Sequence, residues 1–353
     1  MINIIDFKNL NIKKFFFNSF PNINKIPKLM IYNRKKDLII HDKLSNLYKY
    51  FNKSDIIIAN NSKAYPIKYN CYKIKNNAKS YINIFLKKEL NPIYNIWDIL
   101  VNPARKIRTG NKIYFKDKNK NIIEAIILNN TTSKGRILKF NYNNNFKLKK
   151  NIFPTGKFLL PPYIKKNKNI NINYYQNTYS KIIGSLLFPT IGVYIDKYIL
   201  LLLKLNKIKI KYITLHLNFN KIIKLNNKNI NKSFNLKYEK LIINEKIISY
   251  IKKKYKKNIK ICSFGSNTLR SIETMIYNKS CIIKYNGYIN QILHFPFKYK
   301  FFNSFLTYFN DIDTFNFISL LNFCGINKTY EIYKEAIKNK YIFNTYGDLL
   351  LII

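Results

Sequence analysis

Acidic side chains are scarce in this chain of 353 residues: 17 Asp and Glu stand against 63 Lys and Arg, for a formal net charge of +46. Such an imbalance favours nucleic acid or another polyanion as partner. Asn, Lys, Ile, Tyr and Phe are all abundant, as AT-biased codons produce, so codon bias and a polyanionic partner are two coexisting sources expected for the charge. Cysteine is also sparse. Cys71, Cys262, Cys281 and Cys324 lie far apart with no Cys-x-x-Cys pair, which argues against a zinc site or a disulfide framework and fits a reducing cytoplasm. Long apolar runs are missing. The longest aliphatic run is Ile199–Leu203, far short of the ~20 residues of a membrane span. Met1–Asp6 lacks the basic region and apolar stretch of a signal peptide. There is no internal repeat. The expectation is a cytoplasmic protein with no membrane segment and no metal.

Hydrophobic residues make up 47% of the chain, enough for a buried core, and the length calls for two domains. Leu29–Tyr32 and Leu38–Ile40 flank the turn 33–37 like the strands of a hairpin. Leu44–Phe51 has helical spacing, and Asp55–Ala59 reads as a buried strand. Residues 66–153 then change character. Ile84–Leu86, Trp97–Val101, Lys112–Phe115, Ile122–Leu128 and Ile137–Tyr142 are short β-type runs separated by Asn, Lys and Gly, the spacing of a small barrel. Arg105, Lys106, Arg108, Lys134 and Arg136 give that segment a basic face. From residue 156 onward, strand and helix signals alternate, as in an α/β architecture. Tyr198–Leu205, Leu241–Tyr255, Ser266–Tyr277 and Tyr330–Lys340 read as helices, and Ile208–Leu215 and Ile259–Phe264 as strands.

The chain is organised around Leu159–Ile195, where Pro-Tyr and Gln-x-x-Tyr clusters precede the turn Pro189-Thr190-x-Gly192. Gly192 lets the backbone approach a neighbour closely, and Pro189 fixes φ ahead of it. Backbone N–H groups at such a turn suit a polar or anionic ligand group. Taken alone, the turn is also an ordinary loop-to-helix entry.

Other motifs follow in order: Pro161-Pro162-Tyr163-Ile164, Tyr175-Gln176-x-Thr178-Tyr179, Thr214-Leu215-His216, Gly265–Arg270 with Glu273, Thr307 with Phe309, Phe323-Cys324-Gly325 and Tyr346-Gly347-Asp348. Together with Asn60-Asn61-Ser62-Lys63, this series resembles the S-adenosylmethionine:tRNA ribosyltransferase-isomerase family over nearly the whole chain. The resemblance implies an α/β main domain, 1–65 with 154–353, carrying an inserted small β-barrel domain, 66–153. It implies a cytoplasmic, monomeric enzyme. The ribosyl group of S-adenosylmethionine would pass to 7-aminomethyl-7-deazaguanine at the wobble position of a tRNA with a GUN anticodon. Isomerisation would give epoxyqueuosine, with adenine and methionine released.

That chemistry needs a base for a carbon acid, a donor for departing adenine, and cations for the phosphates of a splayed anticodon loop. His216, at the end of a predicted strand, is the candidate acid/base, on the expectation that it titrates near neutral pH. Asp348 is the matching carboxylate. Pro189, Thr190, Gly192 and Tyr346 are the expected contacts to S-adenosylmethionine, and Arg105, Arg108, Lys134 and Arg270 those to tRNA. The chain also departs from the family pattern. Leu217–Ile222 replaces a Gly-rich loop, Tyr194 and Asn310 stand where histidines are usual, and Gly265-Ser266-Asn267-Thr268 replaces Gly-Thr-Thr-Ser. The alternative is therefore an RNA-binding protein of the same fold with impaired catalysis. Convergence of His216, Tyr194, Asn310 and Asp348 on one pocket would discriminate the two.

Overall fold

The apolar run Leu29–Tyr32 forms strand β1 (Lys28–Asn33), which turns through Asp37 at φ 50° into antiparallel β2 (Leu38–Lys43). This computed structural model describes residues 4–16, 26–158, 176–218, 235–255, 259–278, 285–291 and 294–353. Leu44–Tyr50 is helical, as its spacing predicts, but of the tighter 3-10 type. Strand β3 (Ile56–Asn60) is buried at every position, and a short β4 (Ser62–Ala64) follows.

Contacts divide the chain into two units, Tyr65–Pro161 and the remainder, Met1–Ala64 with Pro162–Ile353. The first is a closed barrel. Its strands are β5 (Lys68–Lys75), β6 (Ala78–Asn91), β7 (Ile96–Asn102), β8 (Lys112–Lys116), β9 (Ile122–Asn130) and β10 (Gly135–Phe140), in the order β10-β7-β6-β5-β8-β9. Alternate residues fill the interior: Ile82, Ile84 and Leu86 from β6, Trp97, Ile99 and Val101 from β7, Ile123, Ala125 and Ile127 from β9. Sequence patterning misses β5, whose Lys and Asn residues mask its alternation. The hairpin signal lies instead in Asn76-Asn77, both at positive φ (48° and 57°), the conformation a two-residue hairpin turn demands. A helix, α2 (Asn145–Ile152), tucks Leu148 and Ile152 inward behind its Asn144 cap. The helix before the barrel unit, α1, spans Ile4–Asn9.

After the barrel the chain forms β11 (Ile182–Ser185), α3 (Lys197–Leu205), β12 (Lys209–His216), β13 (Asn235–Ile243), α4 (Glu245–Tyr255) and β14 (Ile261–Phe264). Then come α5 (Ser266–Asn278), β15 (Tyr285–Gln291), β16 (Ser304–Tyr308), α6 (Phe315–Lys338) and β17 (Leu349–Ile352). Among the described residues, nine strands make one sheet in the order β15-β13-β12-β3-β14-β16-β17-β1-β2. The central four, β12, β3, β14 and β16, are parallel. Ile56 and Ile58 of β3 face one apolar cluster, and Ile57 and Ala59 face the other. Both faces of the sheet are covered, as a parallel sheet requires. Among the described residues, no helix is long and apolar enough to cross a membrane.

Two predicted helices change. Leu241–Ile243 ends β13 instead of starting a helix, because Glu239, Leu241 and Ile243 are buried at strand spacing while Tyr238 and Lys240 are exposed. The helix expected at Tyr330–Lys340 is the second part of a longer α6 that starts at Phe315, ends at Lys338 and is interrupted at Gly325, whose φ of 74° and ψ of 170° are not helical.

Arg270, on α5, is expected from the sequence on an RNA-facing surface. The structure instead buries it to 2% exposure in an ion pair with Glu239 of β13. Glu239 also accepts the amide of Asn218 at 3.1 Å, so the pair anchors the chain as it leaves β12. Its helical neighbour Glu273 is not its partner, since that carboxylate accepts the backbone amides of Lys300, Phe301 and Phe302. Glu239→Leu, which strands a buried guanidinium, is expected to destabilise this unit by about 3–5 kcal/mol. Pairing it with Arg270→Met should recover most of that loss in urea unfolding. Equal losses in the single and double variants would show that the pair is not coupled.

Candidate active site

The carboxyl ends of β12, β3 and β14 lie side by side. The chain leaves β3 for β12 on one side and reaches β14 on the other, so β3 marks the switch point where open α/β sheets place ligands. Hydrogen bonds lock these ends together. Asn60 Nδ2 donates to the Leu215 carbonyl at 2.9 Å, and its Oδ1 accepts the amides of Leu215 and Ser62. Thr214 Oγ1 donates to Asn61 Oδ1 at 2.7 Å. The motifs Asn60-Asn61-Ser62 and Thr214-Leu215-His216 therefore form one braced unit.

That brace aims His216. Its Nδ1 lies 2.7 Å from Ser62 Oγ, and Ser62 is fully buried. Gly184 of β11 lies against the ring, where a Cβ would fall 2.5–2.8 Å from three imidazole atoms. Burial, and then the nearby Lys240 charge, push the His216 pKa down to about 4. The imidazole is therefore neutral at neutral pH, and the expectation of near-neutral titration is corrected. Neither Ser62 nor Gly184 stands out in the sequence as a site residue. The signal available is the place of Ser62 at the end of a buried strand.

Pro189 leads into a 3-10 turn, Thr190–Gly192. The turn does not open α3, which starts later and is capped by Asp196 Oδ1 accepting the Ile199 amide at 2.8 Å. Tyr308 donates to the Thr190 carbonyl at 2.9 Å, and the Ile191 side chain faces Gly265, which sits at φ 87° where α5 begins. Gly192 is needed for close approach, since a Cβ there would collide with the Tyr179 hydroxyl and reach within 2.6 Å of Asn177 Cγ. Both Asn177 amide atoms and the Tyr179 hydroxyl are buried without a hydrogen-bond partner among the described residues. An unsatisfied buried polar group costs about 1–3 kcal/mol. This orphaned set beside a backbone cradle fits a polar small molecule such as S-adenosylmethionine.

Tyr346-Gly347-Asp348 forms a clasp. Tyr346 sits at φ 68°, and a Cβ at Gly347 would meet the Ile342 carbonyl. Asp348 Oδ1 accepts the Lys28 amide at 2.7 Å and Oδ2 the Ile342 amide at 2.8 Å. The expected catalytic carboxylate is thus a buried structural group in this conformation, tying the 342–348 loop to β1. The Tyr346 ring is also buried, stacked on Phe188 at 6.0 Å, so it does not present a free face to a base. Tyr194 donates to the Tyr346 carbonyl at 2.6 Å, and burial followed by the Asp348 charge pushes its phenol up, keeping it a donor. Asn310 turns back on its own loop, donating to Thr307 Oγ1 and the Tyr308 carbonyl. Tyr194 and Asp348 thus meet through Tyr346, while Asn310 and His216 bond to other partners. The motif Pro161–Ile164, Tyr175 and the Leu217–Ile222 replacement beyond Asn218 lie outside the described residues, as does Cys281. Among the described residues, no group of three His, Cys, Asp or Glu could hold a metal ion.

In the barrel unit, a surface cleft of about 780 Å³ is lined by Lys73, Lys75, Arg105, Lys106, Arg108 and Lys112, with no carboxylate in the lining. Arg136 is expected on this basic face but is buried beneath it. Its guanidinium donates to the carbonyls of Ala104, Ile107, Thr132 and Gly135, pinning the turn that carries Arg105 to the loop that carries Lys134. Arg105, Arg108 and Lys134 themselves are exposed.

The depressed His216 pKa has a stability consequence. A histidine buried neutral supports folding fully above the ordinary value of 6.5, and this support is lost as pH falls towards about 4. His216→Gln should therefore flatten the acid side of the stability curve across that window. The wild-type His216 ring resonances should stay unshifted down to pH 5. A midpoint near 6.5 would contradict the burial. Gly184→Ala should displace the ring and raise that midpoint.

The comparisons with known proteins agree with this architecture. The chain is 31% identical over 328 residues to the S-adenosylmethionine:tRNA ribosyltransferase-isomerase of Flavobacterium psychrophilum, covering 92% of this chain and 93% of that protein. It is 29% identical to the protein of the same name from Parabacteroides distasonis, with 92% and 93% covered. In fold it is similar to the crystal structure of S-adenosylmethionine tRNA ribosyltransferase from Thermotoga maritima, with a TM-score of 0.54, 20% identity and 97% of each chain covered. The profile of the queuosine biosynthesis protein family matches residues 21–352, and the chain belongs to that family.

Proposed function

We propose that this protein transfers and isomerises the ribosyl group of S-adenosylmethionine onto 7-aminomethyl-7-deazaguanine at the wobble position of a tRNA with a GUN anticodon, forming epoxyqueuosine and releasing adenine and methionine. The observation that carries the reading is the imidazole of His216, braced by Ser62 over Gly184 at the sheet's switch point, in a chain of this family. The alternative, an RNA-binding relative without catalysis, is not favoured, since the relatives matched over 92% of the chain carry the enzyme's name.

Bound S-adenosylmethionine supplies the ribosyl group and a sulfonium that acidifies its 5′ carbon. With Nδ1–H donating to Ser62 Oγ, His216 keeps the lone pair of Nε2 for a proton from that carbon. Burial and Lys240 destabilise the resulting imidazolium, which weakens the imidazole as a base and makes its conjugate acid release the proton to the departing adenine more readily than an ordinary imidazolium. Ser62 holds the ring. The Thr190–Gly192 turn, fixed by Tyr308, bounds the cofactor side. Asp348 acts through position, by closing the loop that carries Tyr346. Arg105, Arg108 and Lys134 hold tRNA phosphates.

Two results are expected. His216→Ala should slow single-turnover adenine release by about 10²–10⁴ while tRNA binding persists. A loss of only about twofold would remove His216 from proton transfer. Neutralising Arg105, Arg108 and Lys134 together should weaken tRNA binding and reduce the slope of log K against log salt by roughly one for each phosphate no longer neutralised. An unchanged slope would place the tRNA elsewhere.

A further inference from the structure

We propose that Asn177 and Tyr179 form the purine-reading edge of the S-adenosylmethionine site, with Gly192 as the backbone they rest on until adenine enters. The inference rests on the proposed function and extends it to the ligand group that these residues recognise. Asn177 is 4% exposed and Tyr179 7%. Among the described residues, neither amide atom of Asn177 has a hydrogen-bond partner, nor does the Tyr179 hydroxyl. The three atoms are not scattered, since Asn177 Cγ and the Tyr179 phenol both crowd the position that a Cβ on Gly192 would take. Burial pushes the Tyr179 phenol up, so it stays protonated as a donor.

Buried polar groups in folded proteins are almost always paired. An adjacent orphaned donor, acceptor and hydroxyl therefore mark a place whose partner is a ligand. The chemistry of the set narrows the ligand. A side-chain amide offers one donor and one acceptor in a single plane, the complement of the adenine edge that carries N6–H beside a ring nitrogen. A carboxylate would use the donor alone and place its charge against Asn177 Oδ1. The surroundings suit a flat base: the Tyr179 ring packs 5.3 Å from that of Tyr212, and Tyr179 shares its apolar cluster with Ile191 and Ile195. Gln176, next in the chain, is engaged elsewhere, since it exchanges hydrogen bonds with both backbone groups of Ala64. That pairing fixes the segment and leaves Asn177 and Tyr179 as its buried polar groups without a partner among the described residues.

The test compares binding of S-adenosylmethionine with its 6-oxopurine analogue, in which the N6 donor becomes an acceptor. The proteins are wild type, Asn177→Leu and Tyr179→Phe, each also followed by thermal unfolding. Wild type should prefer the adenine compound by about tenfold to a hundredfold. Asn177→Leu should lose that preference and Tyr179→Phe should weaken it, while both variants melt no lower than wild type because an orphaned group has been removed. Tyr179→Phe deletes a single oxygen, so it keeps the test open if Asn177→Leu does not fold. Retention of the wild-type preference in the folded variants would overturn the inference and leave the proposed function standing. Failure of wild type to bind S-adenosylmethionine at all would overturn both.

Discussion

The hydrogen bonds across the carboxyl ends of β3 and β12 are the constraint on which the candidate site depends. Asn60 alone occupies both backbone groups of Leu215 and the amide of Ser62. It thereby fixes the register at which Ser62 meets His216. A shift of one residue in β12 would turn His216 to the opposite face of the sheet. What is proposed for the imidazole follows from that register: its bond to Ser62, its low pKa and its contact with Gly184. The brace also explains why two motifs far apart in sequence belong together. One ends the strand that carries the histidine, and the other ends the strand that holds it.

The remaining motifs divide by physical role. Tyr346-Gly347-Asp348 is a clasp whose carboxylate is engaged by two backbone amides. Arg270 is an internal anchor for the start of the segment after β12. Arg136 is the pin beneath a basic surface. Each is charged and reads in the sequence as chemistry, and each holds a loop in the fold. Among the described residues, three of the buried polar atoms without a hydrogen-bond partner, on Asn177 and Tyr179, lie together at Gly192.

Much of the fold is legible in the sequence. The barrel strands at Trp97–Val101 and Lys112–Phe115 and the α/β alternation after residue 156 follow from period-2 and period-3.6 patterns. What is not legible has identifiable causes. β5 carries its alternation on Lys, Asn and Tyr, which hydropathy does not register. The end of β13 reads as helix because Glu239, a charged residue, occupies a buried strand position. For the site, His216 and Gly192 are legible from their motifs. Ser62, Gly184 and Asn177 are not, since their importance lies in contacts with distant segments: Ser62 and His216 meet across 154 residues of chain.

The most direct test of the account is turnover by the wild-type protein. Purified protein would be incubated with adenine-labelled S-adenosylmethionine and a GUN-anticodon tRNA, either carrying 7-aminomethyl-7-deazaguanine or an unmodified wobble guanine. The account predicts release of free adenine, with one ribosyl-derived group joined to each modified tRNA and none with the unmodified tRNA. Tight binding of the modified tRNA with no adenine released would contradict it.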